Sequence, residues 1–429
     1  MHRTKFLLRT AYSGGVAVVT LCLGMAACAQ QSYTWDQLKA KFLDANPALK
    51  ADALNVDEMQ AEEITAFLRP NPQYTLLTDG TQLAPHNGVW QPLSGTEIQN
   101  SFSYLHERRQ KRELRLESAK EGTTISKDQH EDLTRNMLFN LRSEFVQTLQ
   151  AKYVLGVAKA DLEYYDKIID ISKSRLHAGD IAQVDFDRIE LQRVQYESEI
   201  QTATVNLHTA KIQLLQMLND RMPLDGFDIT GQFDFSEELK PLDEYRQAAL
   251  DARPDLQAAM QTFLQSKTNH KLAEANGSTD PTLSAWETHN PSFANPNDYE
   301  TLGVSVSIPL RIFDRNQGEK KRTQIDIDRN QRLTDAARAQ VFSDVDTSYE
   351  LVESNIALLK PYKAKYNDEA TRVRDTVTFA YEHGGASVMD LLNAQSEYRQ
   401  MQLAYAQLLG AYLTAVGQLN LSVGREVIP

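Results

Sequence analysis

Residues 186–217 read FDRIELQRVQYESEIQTATVNLHTAKIQLLQM, and one stripe through them decides the fold. Steps of three and four visit Phe186, Ile189, Arg193, Tyr196, Ile200, Ala203, Leu207, Ala210, Leu214 and Met217. The same steps, started 205 residues later, visit Leu391, Ala394, Tyr398, Met401, Tyr405, Leu408, Tyr412, Ala415, Leu419 and Ser422. Every position but Arg193 and Ser422 is apolar or tyrosine, and the phase never slips. A period near ~3.5 residues is the seam of a coiled coil. Ahead of the first stripe, Leu162, Tyr165, Ile169 and Leu176 keep similar spacing, so two helices can pair antiparallel across a turn at Gly179. Helices of about 35–50 residues would run about 50–75 Å.

The recurrence extends beyond the stripe. Asn46-Pro47-Ala48-Leu49-Lys50-Ala51 returns as Arg253-Pro254-Asp255-Leu256-Gln257-Ala258, and Pro72 returns as Pro281. Ala178-Gly179 with Ala182 and Asp185 returns as His383-Gly384 with Ser387 and Asp390. Three landmarks in one order at nearly constant offset predict a duplicated unit. The first copy spans 34–222 and the second 242–424, joined by the breaker-rich linker 223–241, with a tail at 425–429. Each copy is expected to begin with a helix, at 35–67 and 242–275. Strands follow at 71–79 and 97–106, and again at 280–287 and 301–311. Long helices then occupy 123–177 and 183–220, and 318–382 and 387–422. Breakers support this reading: 123–222 holds no proline and only Gly156 and Gly179, whereas 70–95 holds four prolines and three glycines.

The N-terminus reads as an export leader over 1–29, with Arg3, Lys5 and Arg9 ahead of an apolar stretch from Val16 to Ala27. Two processing routes remain open. Ala27-Cys28-Ala29 suits cleavage after Ala29, and Met25-Ala26-Ala27-Cys28 resembles a bacterial lipobox that would acylate Cys28. At most one cysteine then remains, so no intrachain disulfide framework is available. A formal charge of −13, becoming −16 without the three basic leader residues, makes nucleic acid a poor partner. The 41% hydrophobic content and mean hydropathy of −0.46 exclude a polytopic helical membrane protein, and 35 aromatics argue against disorder.

The strand candidates alternate apolar with small polar residues. Val304, Val306, Ile308 and Leu310 alternate with Ser305, Ser307 and Pro309, and Phe102 and Tyr104 alternate with Ser101 and Ser103. Such segments suit a membrane barrel, with Trp90, Trp286, Tyr104 and Phe313 as an aromatic girdle. They also suit a small soluble sheet with one face on a core. Four strands cannot close a barrel alone, so a membrane reading requires an oligomer.

Chemistry has little to stand on. The histidines show no metal-ligand spacing, and no phosphate-binding loop, nucleophile elbow or HExxH occurs, so neither enzyme nor cofactor is expected. Asp185 and Asp390 each lie six residues past a turn glycine. They can serve as N-terminal caps, Ser387 and Asp390 having capping-box spacing, or as rings of carboxylates around a symmetry axis.

The layout resembles the TolC family of outer-membrane efflux channels. The likeness rests on Ser174-Arg175-Leu176-His177-Ala178-Gly179-Asp180-Ile181, on Phe379-Ala380-Tyr381-Glu382-His383-Gly384 with Asp390-Leu391-Leu392-Asn393-Ala394-Gln395, and on Val304 to Leu310 followed by Phe313-Asp314-Arg315. The resemblance implies a mainly α fold with a membrane β-barrel. Long helical hairpins would form a periplasmic α-barrel, and four strands per protomer would enter a trimeric twelve-stranded barrel. It implies gated passive export from an outer-membrane site, docked on a periplasmic membrane-fusion adaptor and an inner-membrane pump of RND or ABC type. The constriction would match Asp390, with Asp185 beside it and Asn393 where the family carries a second acid. The adaptor-facing tips would match Arg175, Leu176, Gly179, Tyr381 and Gly384. Ala380 stands where the first tip has Arg175, so the two tips are not interchangeable. The alternative is an exported, lipid-anchored periplasmic coiled-coil scaffold with no channel.

Overall fold

The computed structural model describes residues 31–93, 95–290 and 299–428. The leader, including Cys28 and both processing routes, lies outside the described residues.

The expected opening helix at 35–67 is two helices, α1 at Trp35–Ala45 and α2 at Pro47–Phe67. Asn46 is the joint: Pro47 pushes it out of helical geometry to ψ 117, and its Oδ1 accepts from the N–H groups of Ala48 at 2.9 Å and Leu49 at 3.2 Å. The expected helix at 242–275 divides the same way into α5 at Leu242–Ala252 and α6 at Pro254–Asn276, about Arg253 at ψ 116.

Strands β2 at Gln73–Asp79 and β3 at Glu97–Leu105 lead into α3 at Lys111–Ala178, a helix of 68 residues. It starts well ahead of the expected residue 123, because Lys111 to Glu121 are mostly strong helix formers and one interior glycine, Gly122, does not stop a helix this long. Helix α4 at Gln183–Met217 returns beside it. The second series runs through β5 at Thr282–His289 and β6 at Glu300–Ser307, both displaced from expectation by Pro281 and Pro309, which cannot donate to a ladder. The expected single helix at 318–382 is interrupted. Helix α7 at Gln317–Pro361 passes through one π-turn at Tyr362–Tyr366 into α8 at Asn367–Glu382, since Pro361 has no N–H for the ladder at that point. Helix α9 at Val388–Val423 closes the series.

A short parallel pair went unread in the sequence. Strand β1 at Gln31–Tyr33 pairs with β4 at Phe227–Ile229, each too short to show a period. The larger sheet is antiparallel in the order β2-β3-β5-β6.

Cores form where helices converge. One unites α7, α9 and α5 through Val345, Val352, Leu359, Val416, Leu419, Tyr245 and Ala249. A second gathers Leu38, Phe42, Leu141, Phe145, Leu214 and Ile229 under the β1–β4 pair. A third lies toward the glycine turns. The four-stranded sheet belongs to none of them. Among the described residues no helix is long and apolar enough to cross a membrane.

Candidate functional site

Both hairpins turn through the same local device. At the α3 end, Gly179 sits at φ +82, its N–H bonds the Leu176 carbonyl at 3.0 Å, and the Asp180 N–H reaches back to Arg175 at 2.9 Å. At the α8 end, Gly384 sits at φ +77, its N–H bonds Tyr381 at 3.1 Å, and the Gly385 N–H reaches Ala380 at 2.7 Å. This is the Schellman ending, and its left-handed residue favours glycine.

The two tips are tied to each other. Arg175 Nη1 donates to the Tyr381 carbonyl at 2.5 Å, and its guanidinium lies 4.7 Å from the Tyr381 ring centre. The Tyr381 hydroxyl and Ser172 Oγ are 2.9 Å apart, and Tyr381 is 1% exposed among Ile168, Ile189, Val388 and Leu391. Arg175 therefore has a structural role at the tip. A guanidinium reaching across two hairpins is a tertiary contact that local spacing does not encode. Gly179 and Gly384 are exposed, and Leu176 is half-buried.

The acidic positions differ in detail. Asp390 completes a capping box with Ser387: its N–H donates to Ser387 Oγ at 3.2 Å, and its Oδ2 accepts from the Ser387 N–H at 3.0 Å. The Ser387 hydroxyl, donating to Oδ2 at 2.7 Å, and the Ser387 N–H hold the Asp390 carboxyl below the usual carboxylate range. Asp185 occupies the matching place in α4, but Ala182 caps that helix without a side-chain bond, and Asp185 instead faces Arg188 at 3.5 Å. Asn393 is exposed one turn beyond Asp390, on the same face.

A joint above the tips was not read from the sequence. The Arg374 guanidinium lies between the rings of Tyr164, at 4.3 Å, and Tyr398, at 4.1 Å. Arg399 pairs with Glu199 at 2.7 Å, and the Tyr164 hydroxyl meets Thr378 Oγ1 at 3.1 Å. Among these groups Asp161 keeps one carboxyl oxygen buried without a partner. Burial pushes its carboxyl up to about 6, against the pull of Arg399 and Arg374. The available clue was an aspartate amid Leu162, Tyr164 and Tyr165.

At the far end, register sorts the sheet into two unlike faces. Cross-strand rows Tyr74–Phe102–Ala285–Val304 and Tyr104–Leu283–Val306 make one face apolar over these two rows, and in the next row, Leu76–Asn100–Glu287–Leu302, only the two outer strands stay apolar. Rows Gln73–Ser103–Ser284–Ser305 and Thr75–Ser101–Trp286–Gly303 make the other small and polar. The apolar face is bare: Leu302 is 83% and Val304 77% exposed. A soluble sheet would set that face on a core, and no core among the described residues includes it. Trp286 departs from the expected girdle. It lies on the polar face, flat against Gly303, where any added Cβ would come within 2.2 Å of the indole. Among the described residues no group of three metal-ligating side chains occurs.

The profile of the family described as outer membrane efflux protein matches residues 245–425. The chain is 21% identical over 381 residues to the cobalt-zinc-cadmium resistance protein CzcC of Cupriavidus metallidurans, covering 89% of this chain and 87% of that one. It is 22% identical over 304 residues to the outer membrane protein TolC of Escherichia coli, covering 67% of this chain and 60% of TolC. A crystal structure of CusC superposes with a TM-score of 0.75 at 16% identity, over 91% of this chain and 92% of CusC.

Proposed function

The chain is a member of the TolC family of outer-membrane efflux proteins, and on that premise we propose that three copies form one gated, passive export channel. It sits in the outer membrane with most of its helical mass in the periplasm. The observation that carries this reading is the sheet, which has one bare apolar face, one small polar face, and outer edges at β2 and β6 that pair with no other described strand. Open edges are not tolerated in lipid, and three copies of four strands close as twelve. The apolar face would then meet lipid and the polar face would line the lumen. Helix α4 supports the same assembly. Val184, Leu191, Val205 and Ile212 repeat at seven-residue steps, broken only by Ser198, along a face that no described element covers.

The gate lies at the other end. The Arg175–Tyr381 tie holds the two hairpins of one protomer together, so opening requires that it yield. Asp185 and Asp390, repeated by symmetry, would ring the constriction with carboxylates and favour cations, with Asn393 thinning the ring. Leu176, Gly179 and Gly384 remain outside the tie for a periplasmic adaptor, itself bound to an inner-membrane RND-type or ABC-type pump that supplies the energy. No bond is made or broken in the cargo. The name of CzcC makes divalent transition-metal cations the cargo to test first.

Detergent extraction of an outer-membrane fraction should yield a trimer by light scattering that conducts in planar bilayers. A chain that stays monomeric and soluble in buffer would sink the reading.

A further inference from the structure

A cavity of about 330 Å³ opens where α1, the middle of α3, the α5–α6 joint and the end of α9 meet. Its lining carries Lys39, Arg135, Arg142 and Arg425 against Glu131 and Glu426, a local positive excess in a chain of net charge −13. The cations are not all satisfied. The Arg142 guanidinium stacks 4.8 Å from the Trp35 ring, yet none of its five N–H groups meets an acceptor among the described residues. Glu426, the nearest acid, is already held by Lys39 at 3.1 Å and by Trp35 Nε1 at 3.2 Å. Arg135 spends Nη1 on the Leu421 carbonyl at 2.8 Å and Nη2 on Asp132, with Asp255 at 3.6 Å, which leaves its buried Nε without a partner. Burial also pulls the Arg142 guanidinium below its ordinary value, the direction expected of a cation short of counter-charge. The remaining wall is apolar, built by Trp35, Leu138 and Phe139, with Gly417 leaving the space open.

A half-desolvated guanidinium without an acceptor is costly unless something supplies one. We propose that this pocket binds a small amphiphilic organic anion, its carboxylate or phosphate on Arg142 and Arg135 and its apolar body against Trp35 and Phe139. Planar bidentate acceptors suit arginine best, and the aromatic wall favours a flat body. The pocket is complete within one chain, so its failure would leave the channel reading untouched.

The test uses the detergent-extracted assembly with Trp90→Phe and Trp286→Phe, which leaves Trp35 as the sole reporter of the chain's three tryptophans. Phenyl phosphate and benzoate should change Trp35 emission saturably, and benzylamine should not. Arg142→Gln should weaken binding by about tenfold or more. Gly417→Leu should abolish it by filling the space, since even a Cβ there lies 3.6 Å from Arg142 Cγ and from the Phe139 ring. Gel filtration at the parent's volume shows that each variant is folded. Equal binding of benzylamine or of inorganic phosphate, parent-like binding by both variants, or no saturable change by emission and calorimetry would each overturn the proposal.

Discussion

Helices α4 and α9 are built on the same stripe and end in different surroundings. They have 35 and 36 residues, and each follows a glycine turn. Helix α9 lies against α3, α5, α7 and α8, so its stripe is buried at both ends and half-buried from Tyr398 to Leu408, and Leu419 is fully enclosed. Helix α4 packs almost solely on α3. Its inward stripe is buried as well, but on the opposite side Leu191 is 72% exposed. A heptad says that a helix wants a partner. Whether the chain itself supplies all of its partners is visible only in three dimensions.

The comparison can be broken at either end. Leu419→Ala should cost about 2–5 kcal/mol of unfolding free energy, whereas Leu191→Ala in an isolated protomer should stay within about 0.5 kcal/mol. Denaturant midpoints on assembled and dissociated protein test both. Placing charge on the bare face should act on assembly alone: Leu191→Lys with Val205→Lys should give a helical monomer on light scattering. A trimer that survives this change would mean that the face has another use. Asp161 sharpens the contrast through pH. Its folded carboxyl titrates near 6 against 3.8 for a free one, so the folded state binds the proton more tightly. Packing at the joint is then firmest below about pH 4 and weakens as pH rises through 6. Protection factors in α8 and α9, from hydrogen exchange corrected for the intrinsic base-catalysed rate, should rise between pH 7 and 5, and Asp161→Asn should remove that rise. A smaller effect is expected from Arg175→Met, which deletes a half-exposed tie worth about 1 kcal/mol and should raise channel open time a few-fold. Smallest of all, Asp185→Asn with Asp390→Asn should reduce cation preference in single-channel recordings without altering assembly.

What the sequence made legible was local or strictly periodic. The stripes ending at Met217 and Ser422 line buried seams because a heptad constrains every turn in succession. Gly179 and Gly384 could be placed because a left-handed helix ending leaves few alternatives. The joints at Asn46 and Arg253 are encoded by Pro47 and Pro254, and a proline inside a helical pattern marks such a break only when it is weighed against the helix on both sides. Trp286 shows a different failure. A period of two places it with Ser284 on the polar face, opposite Leu283, whereas its size alone suggests a lipid-facing aromatic. The Arg175 tie and the Asp161 joint join residues roughly two hundred positions apart, and no local pattern could have found them.

The three-residue strand β1 sets a limit on how the chain can be fastened to a bilayer. It starts at Gln31, three residues after Cys28, and its partner β4 is fixed to α3 by Lys152, whose Nζ reaches Asp228 at 2.5 Å. Lys152 lies 41 residues along the helix from Lys111, where α3 leaves the sheet, a drop of about 60 Å at about 1.5 Å per residue. Three extended residues reach only about 10 Å. An acyl chain on Cys28 seated in the same bilayer as the sheet and a paired β1 are therefore mutually exclusive. Lipidation would require β1 to peel away, whereas cleavage after Ala29 leaves it in place.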